Sequence, residues 1–130
     1  MPDAFKTILY IDDKDSCEML SLFLGFKGYI VKTANTAEEG LRLALKNRYA
    51  SIILETWLPD ISGIDLCQRI RKFDSHTPII FFSTNSIEKD RQAGLRAGGQ
   101  RYLVKPSDLL TIADTLDQIT QKSSFAVVRG

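Results

Sequence analysis

Short, uninterrupted apolar runs alternate with helical patterns along most of this sequence, and that alternation constrains the fold more than any other feature. The runs lie at positions 8–11, 29–31, 51–54, 79–82 and 102–104. Continuous apolar strands are typical of a parallel sheet that is covered on both faces. Five such strands alternating with five helices predict an α/β three-layer domain. We expect the strand order 2-1-3-4-5, because right-handed crossovers leave few alternatives.

Capping signals predict where two of the helices begin. Thr36 stands three residues before Glu39, and the pair forms a capping box ahead of an apolar stripe. Ser107 follows Pro106 and is the predicted N-cap of the last helix.

The first predicted helix, 16–26, carries more apolar side chains than one buried face requires. Its surplus consists of Met19, Leu22 and Phe26. Either neighbouring elements bury these side chains, or they form an exposed surface for a partner.

Size and composition fit a single globular domain. The chain has 130 residues, of which 44% are hydrophobic and 25% are charged, and this length supports one substantial core. We assign the domain to residues 6–121. Residues 1–5 and 122–130 are interpreted as tails or linker stubs.

Charge, hydropathy and cysteine content exclude several functions. Seventeen basic and 16 acidic residues leave a net charge of +1, so we expect no nucleic-acid partner within this chain. No apolar run approaches the ~18 residues that a membrane span needs, and the N-terminus lacks a signal-peptide pattern. Cys17 and Cys67 are predicted to be buried thiols, which favours a cytoplasmic location over an oxidising compartment.

Polar residues follow four of the five predicted strands. Asp12 and Asp13 end the first strand, Glu55 the third, Ser83 the fourth and Lys105 the fifth. Because ligand sites in such sheets lie beyond the carboxyl ends of the strands, we expect these side chains to form one site.

Three carboxylates in one site would repel each other and raise at least one pKa. Mg²⁺ prefers oxygen ligands and would relieve that repulsion, as would the ammonium of Lys105. Asp12-Asp13 alone has a simpler interpretation, in which the pair starts a loop and caps the helix at Ser16. Glu55 and Lys105 at matching strand ends favour the common site.

The sequence resembles the receiver domain of two-component response regulators over roughly residues 6–121. The matching features occur at the family's spacing: Asp12-Asp13, the acid at 55 followed by Pro59 and Gly63, Ser83, Tyr102, and Lys105-Pro106. The resemblance implies a flavodoxin-like (βα)5 fold. It also implies Mg²⁺-dependent transfer of a phosphoryl group from a phosphohistidine to a third-strand aspartate.

The resemblance further implies a metal site and a switch. The metal ligands would be the carboxylates of Asp12, Asp13 and Glu55, with the backbone carbonyl of Trp57.

Three more residues have implied roles near the phosphoryl group. Lys105 would pair with it, Ser83 would swing to bond it, and Tyr102 would turn inward when Ser83 moves. Pro106 matches a proline that follows a cis peptide bond in the family.

Glu55 departs from the family, because an aspartate is expected at the phosphoacceptor position. The extra methylene extends the carboxylate by roughly 1.3 Å, and a misplacement of ~1 Å can cost about 10²-fold in rate. We therefore expect phosphotransfer to be absent or very slow, Mg²⁺ binding to be weakened or altered, and Glu55 to imitate the phosphorylated state in part. Thr84, where the family usually has a smaller residue, should narrow access to the site.

Partners follow from the same resemblance. We expect a sensor histidine kinase or phosphotransfer protein if the site is active in the parent protein. A downstream effector or a second copy would bind the face made by 87–97, the Tyr102 strand and the last helix. The chain is thus predicted to be a signalling module and not an enzyme.

Two alternatives remain. A flavodoxin-like domain that binds a small ligand or cofactor would need a phosphate cradle after the first strand, where this chain has Asp12-Asp13. A Mg²⁺-dependent hydrolase would need a further nucleophile or base, and none is evident.

Overall fold

The structure, a computed structural model, describes the backbone of residues 6–129 and the side chains of residues 6–120. Residues 1–5, interpreted above as a tail, lie outside this range. Strands and helices alternate in the order β1 (Thr7–Ile11), α1 (Lys14–Phe26), β2 (Ile30–Ala34), α2 (Ala37–Lys46), β3 (Ser51–Leu54), α3 (Gly63–Arg71), β4 (Ile79–Ser83), α4 (Glu88–Ala97), β5 (Arg101–Val104) and α5 (Leu109–Arg129).

The five strands form one parallel sheet in the order β2-β1-β3-β4-β5, which confirms the predicted flavodoxin-like topology. Ile11 at the end of β1 pairs with Leu54 at the end of β3. On the other side of the sheet, Ser83 pairs with Val104. This register aligns the strand ends, so the polar residues that follow them lie along one edge.

Side chains from the two faces of the sheet form two separate core layers. The layer beneath α1 and α5 includes Ile8, Tyr10, Leu20, Leu24, Ile53, Ile80, Phe82, Ile112 and Leu116. The layer beneath α2 and α3 includes Leu9, Ile11, Ala37, Ala44, Ile52, Leu54, Leu66, Ile70 and Phe81. Adjacent strand residues alternate between the layers, which explains the uninterrupted apolar runs. Each large side chain contributes about 1.5–3 kcal/mol through burial.

The two predicted caps have different outcomes. Thr36 is the N-cap of α2, and its hydroxyl accepts a hydrogen bond from the Glu39 amide at 3.1 Å. The prediction for Ser107 is wrong, because α5 begins two residues later at Leu109. The Ser107 hydroxyl instead faces the Val104 carbonyl at 3.5 Å.

Asp108 explains the later start of α5. Its carboxylate accepts from the Val104 amide at 2.8 Å, and its carbonyl accepts the Ile112 amide at 3.0 Å. These bonds make 105–108 a turn that contains the cis peptide bond between Lys105 and Pro106. The helix therefore starts directly after this turn, at Leu109.

The surplus apolar side chains of α1 lie on the surface. Met19 is 54% exposed, Leu22 64% and Phe26 84%, so neighbouring elements of the described chain do not bury them. At the other end of the chain, the backbone of α5 continues to Arg129, through a segment interpreted above as a tail. In the described range no helix is both long enough and apolar enough to cross a membrane.

Candidate functional site

Lys105 joins the ends of three strands. Its Nζ donates to Oε2 of Glu55 at 3.1 Å and to Oδ2 of Asp12 in a shorter contact. Its side chain is only 12% exposed. The predicted convergence of these side chains is therefore present in the structure.

Three protein groups donate hydrogen bonds to the carboxylate of Asp12. Oδ2 accepts from the Tyr10 hydroxyl and from Lys105, while Oδ1 accepts the Asp13 amide at 2.7 Å. Burial raises the pKa of Asp12, and the hydrogen bonds from Lys105 and Tyr10 oppose that rise. A raised pKa was expected here from repulsion between carboxylates, but the main cause is burial.

Asp13 caps α1 with its side chain. Its carboxylate accepts from the amide of Ser16 at 2.8 Å and from the Ser16 hydroxyl at 3.0 Å. The hydrogen bond from the Ser16 amide is the main reason that the pKa of Asp13 is lowered. Asp13 thus caps α1, as the simpler interpretation of the acidic pair predicts, while Asp12 bonds Lys105. The metal-binding role of the pair stays a prediction.

Glu55 folds back on its own loop. Oε1 accepts from the amide of Thr56 at 2.7 Å, from the Thr56 hydroxyl at 3.1 Å and from the Trp57 amide at 3.4 Å. Glu55 is 6% exposed, whereas the Trp57 side chain is 63% exposed. Each oxygen of this buried carboxylate therefore has a donor from the protein.

Gly63 makes this tight loop possible. A Cβ at that position would lie 2.0 Å from the Glu55 carbonyl oxygen, and the Gly63 amide donates to the Thr56 carbonyl at 2.8 Å. The first turn of α3 thus packs directly against the backbone of the acidic loop. Gly63, which matches a glycine of the receiver family, is thus explained sterically in this chain.

Thr56 is one of the site residues that the sequence analysis missed, together with Tyr10 and Asn85. Its hydroxyl lies 2.8 Å from that of Ser83, and the Asn85 amide donates to the Ser83 oxygen at 3.0 Å. Thr56 is 2% exposed and Ser83 is fully buried. The available signal was a hydroxyl residue directly after a buried strand and its acid.

Thr84, expected to narrow access to the site, has an exposed side chain.

Tyr102 points inward. It is 7% exposed, its ring stacks on Phe81 with centroids 5.6 Å apart, and its hydroxyl donates to the Asn85 carbonyl at 2.6 Å. Burial raises the pKa of Tyr102, and the nearby hydroxyls of Thr56 and Ser83 oppose that rise. The phenol therefore lies next to the two hydroxyls that lead to Glu55.

The site contains its own cation. Burial alone would lower the pKa of Lys105, but the hydrogen bond and charge of Asp12, together with the charge of Glu55, raise it overall. The ammonium therefore remains charged between two buried carboxylates, which neutralises part of their repulsion.

The arrangement does not fit a bound Mg²⁺. Lys105 bonds one carboxylate oxygen of Asp12 and one of Glu55, and Asp13 is engaged in capping α1. Within the described residues, no three acidic, histidine or cysteine side chains are grouped as metal ligands. A Mg²⁺ ion that used the oxygens bonded to Lys105 would have to displace its ammonium.

Comparison with known proteins identifies the class. The family of response regulator receiver domains matches residues 8–117, and this chain belongs to that family. Receiver domains are signalling modules and not enzymes in the usual sense. They generally bind Mg²⁺ at the phosphorylation site.

Curated relatives are response regulators of greater length. Response regulator ArlR of Staphylococcus aureus is 39% identical over 104 residues, which are 80% of this chain and 47% of ArlR. The probable transcriptional regulatory protein TcrX of Mycobacterium tuberculosis is 28% identical over 123 residues, 94% of this chain and 53% of TcrX. The chain thus spans about half the length of these relatives.

Solved structures share the fold. A two-component response regulator from Clostridium difficile matches with a TM-score of 0.85 at 33% identity, over 91% of this chain and 98% of the other. TrrA from Thermotoga maritima, solved in complex with Mg²⁺-BeF, matches with a TM-score of 0.80 at 27% identity, over 88% of this chain and 98% of TrrA.

Proposed function

We propose that this chain is a receiver domain, spanning residues 6–121, whose output does not depend on phosphorylation of residue 55. It acts through protein contacts in two-component signalling. The observation that carries the proposal is the position of the Glu55 carboxylate, which bonds Lys105 through one oxygen and its own loop through the other. In a receiver domain that accepts phosphoryl groups, this carboxylate would have to be free to attack.

Glutamate supplies part of what a phosphoryl group would supply. It carries one negative charge, against about −2 for a phosphate. A charge-assisted hydrogen bond such as the one to Lys105 contributes ~1.5–3 kcal/mol, whereas moving a switch from 1:99 to 99:1 takes ~5.5 kcal/mol. Glu55 therefore biases the switch toward the active state without locking it. The inward position of Tyr102 agrees with such a bias.

Partners and cofactor follow from this role. The output surface is the face made by α4, β5 and α5, where an effector or a second copy binds. A histidine kinase or phosphotransfer protein would act only on a version of the site with aspartate at 55. Mg²⁺ binds more weakly than in such a version, because the longer side chain of Glu55 bonds its own loop through one oxygen and Lys105 through the other. The two free, buried cysteines fit a reducing cytoplasm.

A cofactor-binding role has less support than signalling. The first strand is followed by Asp12 and Asp13, and the latter caps α1 with its carboxylate. A negative charge at that helix N-terminus repels the phosphate of a nucleotide or flavin.

Phosphorylation of the parent and of Glu55→Asp, side by side, tests the proposal. Each protein is incubated with acetyl phosphate and MgCl₂ and analysed by intact-mass spectrometry. We expect no added phosphoryl group on the parent and a labelled fraction in Glu55→Asp, because the shorter carboxylate restores the reach of the family's acceptor. A phosphoryl group on Glu55 of the parent would overturn the proposal.

A further inference from the structure

A directed line of hydrogen bonds leads from Glu55 into the loop before α4. A carboxylate can only accept, so the Thr56 hydroxyl uses its one hydrogen on Oε1 of Glu55 at 3.1 Å. The Ser83 hydroxyl must then donate to Thr56 across 2.8 Å. The Ser83 oxygen in turn accepts the Asn85 amide at 3.0 Å.

Asn85 connects this line to two elements of the proposed output face. Its carbonyl accepts the Tyr102 hydroxyl at 2.6 Å, which links it to β5. Its side-chain amide donates to Asp90 on α4 at 2.9 Å, and its side-chain oxygen accepts the Ile87 amide at 3.1 Å. One residue thus contacts both Tyr102 on β5 and the start of α4.

Burial makes the members of the line interdependent. Thr56 is 2% exposed, Ser83 0% and Asn85 3%, so water cannot easily replace a lost partner. A buried polar group without a partner is costly, and hydrogen bonds in series strengthen one another. Removing one hydroxyl therefore shifts its neighbours instead of leaving them in place.

We propose that Thr56 is a positioning residue that transmits the charge of Glu55 to Ser83, Asn85 and Tyr102. The inference rests on the proposed function, since it explains how a site that is not phosphorylated reaches the output face. In this chain Ser83 does not bond the acid itself, because Thr56 stands between them. A fixed hydrogen bond through Thr56 thereby takes the place of the swing of Ser83 that the family resemblance implies.

Matched substitutions separate this role from simple packing. Thr56→Val keeps the shape of the side chain and removes the hydroxyl, whereas Thr56→Ser keeps the hydroxyl. Thr84→Val makes the same chemical change at an exposed threonine next to Ser83. The readouts are the NMR signals of the Tyr102 ring and hydrogen exchange of the Asn85 amide.

The expected pattern is specific to the hydroxyl at 56. In Thr56→Val, exchange of the Asn85 amide becomes about tenfold faster or more, and the Tyr102 signals shift. Thr56→Ser and Thr84→Val remain close to the parent. Glu55→Ala shifts the same signals in the same direction. In the double variant Glu55→Ala/Thr56→Val, the signals shift little further than in either single variant.

Two results would overturn the proposed role of Thr56. One is a folded Thr56→Val protein with parental Tyr102 and Asn85 signals. The other, which applies even if Thr56→Val does not fold, is a Glu55→Ala protein in which those signals do not change. A phosphoryl label on the parent overturns the proposed function, whereas the role of Thr56 is decided by the Tyr102 and Asn85 signals alone.

Discussion

The Nζ atom of Lys105 lies 3.1 Å from Oε2 of Glu55, and this contact ties the turn after β5 to the end of β3. The same ammonium bonds Asp12, whose side chain is 2% exposed. Both acids thus depend on one buried cation for compensation.

Replacing Lys105 should destabilise the fold. Lys105→Met leaves two buried carboxylates without a counter-charge, and breaking a buried pair in this way costs ~3–5 kcal/mol. Urea unfolding followed by circular dichroism measures the change. Lys72→Met, at an exposed lysine, is the control and should change stability by less than ~0.5 kcal/mol. Equal effects of the two substitutions would contradict the assigned role.

Mg²⁺ should bind Lys105→Met more tightly than it binds the parent. Without the ammonium, the oxygens of Asp12 and Glu55 become available to a divalent cation. A MgCl₂ titration followed by the amide signals of residues 12–13 and 55–57 measures both affinities, and adding Asp12→Asn to the variant should abolish the gain. Tighter binding by the parent would mean that Lys105 does not compete with the metal.

Gly63→Ala should disturb the acidic loop. The new Cβ would lie 2.0 Å from the Glu55 carbonyl oxygen, so the backbone must shift, at a cost of ~1–3 kcal/mol. Gly25→Ala is a matched control in α1, because a Cβ there meets nothing within 4 Å. That control should stabilise the protein by ~0.5–1 kcal/mol. Thermal unfolding of both variants should therefore show changes of opposite sign, and two changes of the same sign would argue against the steric role of Gly63.

The phenol of Tyr29 should ionise at a higher pH than that of an ordinary tyrosine. Burial and its hydrogen bond to Asp117, 2.6 Å long, raise the pKa of Tyr29 to about 12. Because that value lies above the ~10 of an unfolded tyrosine, its contribution to stability is complete below pH ~10 and is lost as the pH rises through the folded value. Tyr29→Phe should remove this part of the pH dependence in urea unfolding.

Absorbance near 295 nm provides an independent check on Tyr29. The difference between the parent and Tyr29→Phe should show no tyrosinate from this residue at pH ~10, where an ordinary tyrosine is half ionised. Half ionisation of Tyr29 at that pH would contradict the assigned environment.

Much of the fold and part of the site could be predicted from the sequence. Strand periodicity is a local property, and parallel strand ends must meet at one edge. The approach of Asp12, Glu55 and Lys105 therefore followed from counting strands. Ser107 shows the limit of local signals, because the neighbouring Asp108 formed the competing hydrogen bond to Val104.

The hydrogen bonding inside the site could not be predicted in the same way. Glu55 can turn toward a metal or back toward Thr56, and the choice depends on which donors the folded loop supplies. Asp13 faces a similar choice and caps α1. Such choices are made between side-chain rotamers, which spacing along the chain does not encode.

The return of the Glu55 carboxylate onto Thr56 has a consequence for control in the cell. Under the proposed function, the negative charge at residue 55 is part of the polypeptide itself, and no phosphoryl group has to be added or removed. The strength of the signal would then follow the number of molecules synthesised and degraded, so regulation would act on expression and turnover.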